Sequence, residues 1–312
     1  MTGDGQEFEP HRDHLTAVAY RMLGSRADAE DAVQEAWLRW HSAGDGGEIR
    51  DPRAWLTTVT ARICLDQLRS ARRRREAYVG QWLPEPLVER LPATGELGTD
   101  PADRATRTEQ VSYALLVVLE RLSPEQRVAF VLRDVFGLPF GEIAPVLGTT
   151  EPAARQLASR ARRAVQVDGG ARHTAGPAEQ RRVLSAFLTA ANTGDIDGLL
   201  AVLAPDVVVI GDGGGVVPSA PRPIEGAVPA ARFLAGLFRR YGRPAGALHA
   251  ELVGVNGDLG VLVEIEQPDG RRIRGTVVVS VAGGRVTGVY NQVNPAKLSG
   301  LPEPDPERAL FR

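Results

Sequence analysis

The first apolar stripe starts at Leu15: Leu15, Val18, Ala19 and Met22 recur at i, i+3, i+4 and i+7, the spacing of one helix face. A second helix follows in DAEDAVQEAWLRW, with Ala29, Val33, Ala36, Trp37 and Trp40 on its inner face. Glu30, Asp31, Gln34 and Glu35 make the outer face acidic and polar, and Asp28 is placed to cap the start. Asp51-Pro52 opens a third helix, the Asp as N-cap and the Pro at the first helical position. Trp55, Leu56, Val59 and Ile63 form its buried stripe. Arg62, Asp66, Arg69 and Arg73 recur at i, i+4, i+7 and i+11 on another face, which the run Arg72 to Arg75 extends.

Pro84 and Pro86 end the helix that precedes them, because each lacks an N–H and restricts the residue before it. From there to about Pro101 the chain reads as a Pro/Gly-containing linker. VSYALLVVLERL is apolar nearly all round and is expected to be buried. Residues 124–163 then give three short helices, the last two separated by Gly148-Thr149-Thr150, which is helix-turn-helix spacing. In the last, Ala154, Leu157, Ala161 and Ala164 face inward; Arg155, Ser159 and Arg162 face out, with Gln156, Arg160 and Arg163 beside them. Pro145, inside the first of that pair, removes a hydrogen bond and should bend or shorten it.

After VDGGARHTAGPAE the texture changes to two helices, the strand DVVVI, another helix and four β-branched stretches, with PDG and AGG as hairpin turns between the last three. Helices followed by a curved antiparallel sheet make an α+β domain. The tail from Pro295 is Pro-rich and is expected to be loosely held.

A chain of 312 residues has room for two or three domains. With 37 Lys+Arg against 39 Asp+Glu the net charge is -2, so any attraction to nucleic acid has to come from local clusters. A single cysteine, Cys64, excludes an intramolecular disulfide and a cysteine metal cluster and fits a reducing compartment; the cytoplasm is the expected location. MTGDGQEFEPHRDH has no apolar core like that of a signal peptide, and no apolar run is long enough to span a bilayer. No membrane partner, metal or cofactor is expected.

Arginines on the second helix of a helix-turn-helix can neutralise phosphates and reach base edges in the major groove. The bland alternative is a solvated charged face, weakened here by a second arginine-bearing helix in the same chain. That helix, Pro52 to Arg75, has the basic track that proteins gripping single strands combine with pockets for splayed bases. Trp55 offers such a wall, although a tryptophan at that position is more commonly core.

ADAEDAVQEAWLRW, DPRAWLTTVTARICLDQLRSARRR and LSPEQRVAFVLRDVFGLPFGEIAPVLGTTEPAARQLASRARR resemble the two conserved-region domains of extracytoplasmic-function (ECF) sigma factors of bacterial RNA polymerase, over about residues 10 to 165. WLPEP (82 to 86), DGGG (212 to 215) and NPAKL (294 to 298) resemble signatures of the sigma-J-like group, which carries a fused SnoaL-like C-terminal domain. The resemblance implies a multidomain chain: two all-α sigma domains, the second a helix-turn-helix, followed by an α+β SnoaL-like cone with a curved antiparallel sheet. The expected divisions are region 2 at 1–80, a linker with WLPEP at 81–101, region 4 at 102–167, a linker at 168–177, the SnoaL-like domain at 178–293 and the tail with NPAKL at 294–312.

The resemblance also implies partners and roles. The partners are core RNA polymerase, through the β′ clamp helices and the β flap, and promoter DNA; the free chain would be a monomer. Asp31, Gln34, Glu35 and Trp37 would dock on the clamp helices. The loop from Ser42 to Asp51, with Thr58, Arg62, Asp66, Arg69 and Arg73, would read and open the minus-10 element. Glu151, Arg155, Gln156 and Ser159, with Arg160 and Arg163 on phosphates, would read the minus-35 element as duplex. Trp82, Leu83, Pro84, Glu85 and Pro86 would be a docking strip for the loop Asp212, Gly213, Gly214 and Gly215, with Asn294, Pro295, Lys297 and Leu298 in the same interdomain contact. Two positions depart from the group: Val216 stands where many relatives are basic, and Ala296 where the motif has Asp.

For the SnoaL-like part three readings stand: a regulatory brace, a sensor for an unknown small-molecule ligand, and an isomerase or cyclase with a DNA-binding appendage. Asp212, His249, Glu264, Glu266 and Tyr290 are the acid or base candidates for the third. Alternation puts Glu264 and Glu266 on one strand face with Leu262 without saying which face is inside. Catalysis would need an acid and a base within hydrogen-bond reach. Glycines 213 to 215 lack the helix and Lys-Ser/Thr of a phosphate loop and read as a tight turn. An ordinary helix-turn-helix repressor is a further alternative; it would leave the helix from Pro52 without a function.

Overall fold

The structure, a computed structural model, describes residues 7–43, 49–75, 78–91, 111–167, 175–241, 248–267 and 269–310, and side chains within 71–75 lie outside that description. Its contacts group the chain into two units: Met1–Ala77 with Val118–Val167, and Tyr78–Val117 with Asp168–Arg312. Residues 44–48 of the loop expected to read the minus-10 element, residues 92–110, which hold the expected 101/102 boundary, and residues 168–174 lie outside the described residues.

In the first unit a short 3-10 turn, Glu9–His11, leads into α1 (Arg12–Leu23), α2 (Arg26–Ala43) and α3 (Pro52–Arg75). Gly24, at φ 70, ends α1 in a left-handed cap that an L side chain would strain, its N–H bonded to the Tyr20 carbonyl at 2.7 Å. The Asp51 side chain caps α3 by accepting from the Ala54 N–H at 3.0 Å. α1, α2 and α3 pack together and bury Leu15, Val18 and Met22, Ala29, Val33 and Ala36, and Leu56, Ile63 and Leu68.

In the same unit, α5 (Pro124–Phe130) begins with a capping box in which Ser123 and Gln126 satisfy each other's backbone N–H, and it continues into a π-helical stretch, Val131–Val135. α6 (Phe140–Leu147) and α7 (Glu151–Val165) form the helix-turn-helix, turning on Gly148 at φ 62 with Thr150 capping α7. α6 is eight residues long, carries Pro145 within it on the exposed side and ends on the left-handed Gly148. Ala154, Ala158 and Ala161 are the buried face of α7, small enough for close approach to α5. Arg127, 2% exposed, pairs with Glu120 at 2.7 Å and donates to the Arg21 carbonyl at 3.4 Å.

The second unit is built on a seven-stranded sheet, in the order β1-β4-β5-β6-β7-β2-β3, antiparallel except for β2 on β7. The strands are β1 (Val88–Arg90), β2 (Leu203–Asp212), β3 (Ile224–Glu225), β4 (Leu248–Val255), β5 (Asp258–Glu266), β6 (Arg272–Ala282) and β7 (Arg285–Gln292). Helices α8 (Pro177–Thr193), α9 (Ile196–Val202) and α10 (Ala227–Tyr241) cover one face. Strand alternation then sorts the core. Val207, Val209, Val261 and Val279 pack with Leu184, Phe187 and Leu234 of the helices. Val208, Ile210, Leu262 and Val278 turn to the opposite face, where Leu83, Tyr113, Val117, Leu298 and Leu301 cover them. Tyr113 and Val117 come from α4 (Tyr113–Leu119), the helix expected to be buried.

Two expectations are corrected. The stretch after Pro86 is not connector throughout, because Val88–Arg90 pairs antiparallel with Val253–Val255 as an edge strand. The tail is not loose: Leu298 and Leu301 are buried, the Leu310 N–H donates to Ala250 O at 2.8 Å, and Arg308 donates to Leu91 O at 2.7 Å. Apolar side chains and backbone donors at the tail find partners on the open sheet face, and these outweigh the disorder that proline-rich composition suggests.

Candidate nucleic-acid interface

On α2, Asp31 and Gln34 are exposed, Glu35 is ion-paired with Arg39, and Trp37 stacks on His41 with centroids 5.7 Å apart. Leu38, 52% exposed, lies beside them and went unnoticed in the sequence, because a single apolar residue outside the stripe carries no pattern.

On α3, Arg62, Asp66 and Arg69 are exposed and Thr58 is half-buried; the Arg73 side chain lies outside the described residues. Arg62 donates to Pro145 O at 3.2 Å, and Arg69 Nε lies 3.0 Å from Glu125 Oε1. Burial works to raise the Glu125 carboxyl, but its backbone hydrogen bond and Arg69 outweigh it and hold the group below the usual range. Trp55 is half-buried with its ring edge-on to Trp40 at 5.6 Å, intermediate between core and wall. It helps line an open groove of about 860 Å³ with Arg50, Asp51, Thr58, Gly141, Glu142 and Pro145.

On α7, Glu151, Arg155, Gln156, Arg160 and Arg163 are exposed and Ser159 is half-buried, so the helix presents them along one side of its alanine core. Arg155 pairs with Glu151 at 2.8 Å and lies over the Phe140 ring at 5.5 Å; Arg163 donates to Ser159 Oγ at 3.5 Å. Arg162 is tied to Asp134 at 2.7 Å, which pins the helix to the preceding segment.

The three short motifs meet in the second unit. Asp212, fully buried, accepts from the Leu83 N–H at 3.0 Å, Lys297 Nζ at 2.7 Å, Gln292 Nε2 at 3.3 Å, the Gly214 N–H at 3.0 Å and the Tyr78 hydroxyl. Burial, with Asp212 next, pushes the Tyr78 phenol well up, so it stays protonated and donates. Lys297 also donates to Leu83 O at 2.6 Å and lies 3.1 Å from the centre of the Trp82 ring. The Pro84 carbonyl accepts from the Tyr113 hydroxyl at 2.8 Å and from Gln292 at 3.2 Å.

Gly213 and Gly214 fit because they lack Cβ: one added to Gly213 would fall 1.9 Å from Val217 O, and one on Gly214, at φ +64, would fall 2.4 Å from the Asn294 side chain. Asn294 caps the 3-10 turn Pro295–Lys297 by accepting from the Ala296 N–H, and Leu298 packs in the core of this face. Pro86 is buried and Glu85 half-buried. Both departures are at solvent: Val216 is 73% exposed, and Ala296 is exposed. Tyr78, Gln292 and Tyr113 complete the cluster without belonging to any motif.

The acid and base candidates share one face of the sheet, spread over β4, β5, β7 and β2. By alternation with Ala250, Leu252 and Val261, which face the helices, His249, Glu264, Glu266 and Tyr290 stand with Asp212 on the other side of the sheet. His249 Nε2 is 3.3 Å from Glu251 Oε2, and Glu264 lies 3.6 Å from Arg274. No helix among the described residues is long and apolar enough to cross a membrane, and these residues hold no group of three or more His, Cys, Asp or Glu that could bind a metal.

Family models for Sigma-70 region 2, Sigma-70 region 4 and a SnoaL-like domain match residues 8–74, 112–165 and 184–289. The ECF RNA polymerase sigma factor SigJ of Mycobacterium tuberculosis is 46% identical over 300 residues, 95% of this chain and 93% of its own length. Probable ECF RNA polymerase sigma factor SigI of the same organism is 38% identical over 296 residues, 94% of each chain. The crystal structure of M. tuberculosis SigJ matches with a TM-score of 0.75 and 43% identity, covering 96% of this chain and 99% of that one. The chain belongs to the ECF RNA polymerase sigma factors that carry a C-terminal SnoaL-like domain. As such it binds core RNA polymerase, recognises promoter DNA and initiates transcription.

Proposed function

We propose that this sigma factor reads a two-part promoter with the residues exposed on α3 and α7, and that its own C-terminal domain sets its output. Asp31, Gln34, Glu35 and Trp37 form the dock for the β′ clamp helices, a polar face that carries one stacked aromatic. The helix-turn-helix segment takes the β flap. Thr58, Arg62, Asp66, Arg69 and Arg73 take the minus-10 element, where strands separate and a basic track with polar side chains can hold unpaired bases. Glu151, Arg155, Gln156 and Ser159 read the minus-35 duplex in the major groove, with Arg160 and Arg163 on phosphates.

The observation that carries the regulatory part is the meeting of Trp82–Pro86, Asp212–Gly215 and Asn294–Leu298 around one buried carboxylate. The segment that follows α3 therefore reports on the state of the C-terminal domain. A regulatory rather than catalytic role is supported by the position of His249, Glu264, Glu266, Tyr290 and Asp212, away from the face that α8, α9 and α10 cover. The functional divisions follow the three family matches, and cellular action is placed in the cytoplasm, where polymerase and promoter are.

The experiment is in vitro transcription with core polymerase, comparing wild type with Asp212→Asn and Arg155→Ala. The reading expects altered output on a fixed promoter for the first and altered promoter choice for the second. Wild-type output and choice in both variants would overturn it.

A further inference from the structure

The Lys297 ammonium is fully provided for inside the second unit. It donates to Asp212 Oδ2 at 2.7 Å and to Leu83 O at 2.6 Å, lies 3.1 Å from the Trp82 ring centre and 5.4 Å from that of Tyr78. A carboxylate, a carbonyl and two aromatic faces around one nitrogen are the elements of a cation receptor. We propose that Tyr78, Trp82, Leu83 and Asp212 form a binding site for a primary alkylammonium ion, which the chain's own Lys297 occupies as a tethered ligand.

The walls of the site are held by contacts that do not involve Lys297. Asp212 is fixed by the Leu83 and Gly214 N–H groups, by Gln292 and by the Tyr78 hydroxyl. The Trp82 ring sits edge-on to Tyr78, centroids 4.9 Å apart at 74°. With the lysine removed, the carboxylate keeps these donors and its place, and a buried charge without its counterion favours any cation that fits.

The geometry selects the class of ligand. Two of the contacts are hydrogen bonds accepted from N–H, which a quaternary ammonium cannot supply. Lys297 enters on the exposed turn at Pro295 and Ala296, and its side chain keeps 10% exposure, so the seat lies one side chain deep from solvent. Tethering gives Lys297 an effective concentration of the order of millimolar or above. A free amine therefore competes poorly in the wild type, and the site shows itself when the lysine is cut back.

The test is Lys297→Ala in the full chain, titrated with n-butylammonium chloride and followed by thermal unfolding and by saturation-transfer NMR on the amine. The expected result is a saturable rise in Tm and saturation transfer, absent with n-butanol, tetramethylammonium or sodium chloride at the same concentration. Adding Trp82→Leu weakens binding by a factor of about 30, the scale of a desolvated cation–π contact. Should Lys297→Ala not fold alone, the readout becomes refolding yield with butylammonium against sodium chloride. Equal effects of all four additives, or none, overturn the proposal.

Discussion

Arg69 Nε sits 3.0 Å from Glu125 Oε1, so an arginine assigned to minus-10 DNA is held by the first turn of α5. Arg62 is likewise engaged by the Pro145 carbonyl. If Arg62 and Arg69 take the proposed minus-10 role, both contacts compete with DNA, and the net charge of -2 adds no general attraction. The free chain is therefore expected to bind promoter fragments weakly, with affinity falling steeply as salt rises. Glu125→Gln releases Arg69 and should raise the free chain's affinity by less than about fivefold, the scale of an exposed ion pair. Fluorescence anisotropy on a labelled fragment measures it; unchanged affinity contradicts the masking.

The same pair gives a pH dependence. Glu125 has a folded-state pKa below its unfolded one, so its contribution is fully present above the unfolded value, about 4.3 for a glutamate, and is lost as pH falls through the folded value. The Tm difference between wild type and Glu125→Gln should be present at neutral pH and vanish in strong acid. A difference that persists there assigns the effect to packing.

Arg155 lies over Phe140, and Arg133 lies over the same ring at 5.1 Å, so the aromatic platform fixes where Arg155 points. Arg155→Ala should cost about 1 to 3 kcal/mol at one base pair of the minus-35 element and relax preference there. Transcription from a library randomised over that element measures this. A uniform loss on every sequence would make Arg155 a phosphate contact.

Glu120→Ala removes the ion-pair partner of Arg127, which is 2% exposed, and leaves it the Arg21 carbonyl at 3.4 Å. Breaking a buried ion pair from one side costs about 3 to 5 kcal/mol, and the drop in Tm should be large. Tyr78→Phe removes a donor to Asp212 and an acceptor from Asn294, and should cost about 1 to 3 kcal/mol. Denaturant unfolding reads both; losses within error would show water replacing the missing groups.

The helices of the first unit were legible because their signals are local: an apolar period at Leu15, the Asp51-Pro52 start and the Gly148 turn. The β4–β5 hairpin was legible too and went unread. Asn256-Gly257, both at positive φ (52 and 79), is the residue pair that a tight two-residue turn demands. β1 was not legible, since three residues after a proline strip become a strand only through an edge supplied by Val253–Val255, far along the chain. Nor were Tyr78 and Gln292, because isolated side chains that join the Asp212 cluster through long-range hydrogen bonds leave no periodic trace. Asp212 reads in the sequence both as part of the interdomain contact and among the possible acids; Lys297 and two backbone N–H groups converge on it.

The most direct test of the account is transcription by core polymerase from a promoter library, with the full chain as wild type and as Asp212→Asn. Wild type should give transcripts from one family of two-part promoters. Asp212→Asn should give a changed output from the same promoters, because the contact joining Trp82–Pro86 to the C-terminal domain is weakened. Identical output from the two chains would contradict control by the C-terminal domain, and transcripts with no common minus-35 element would contradict the role given to α7.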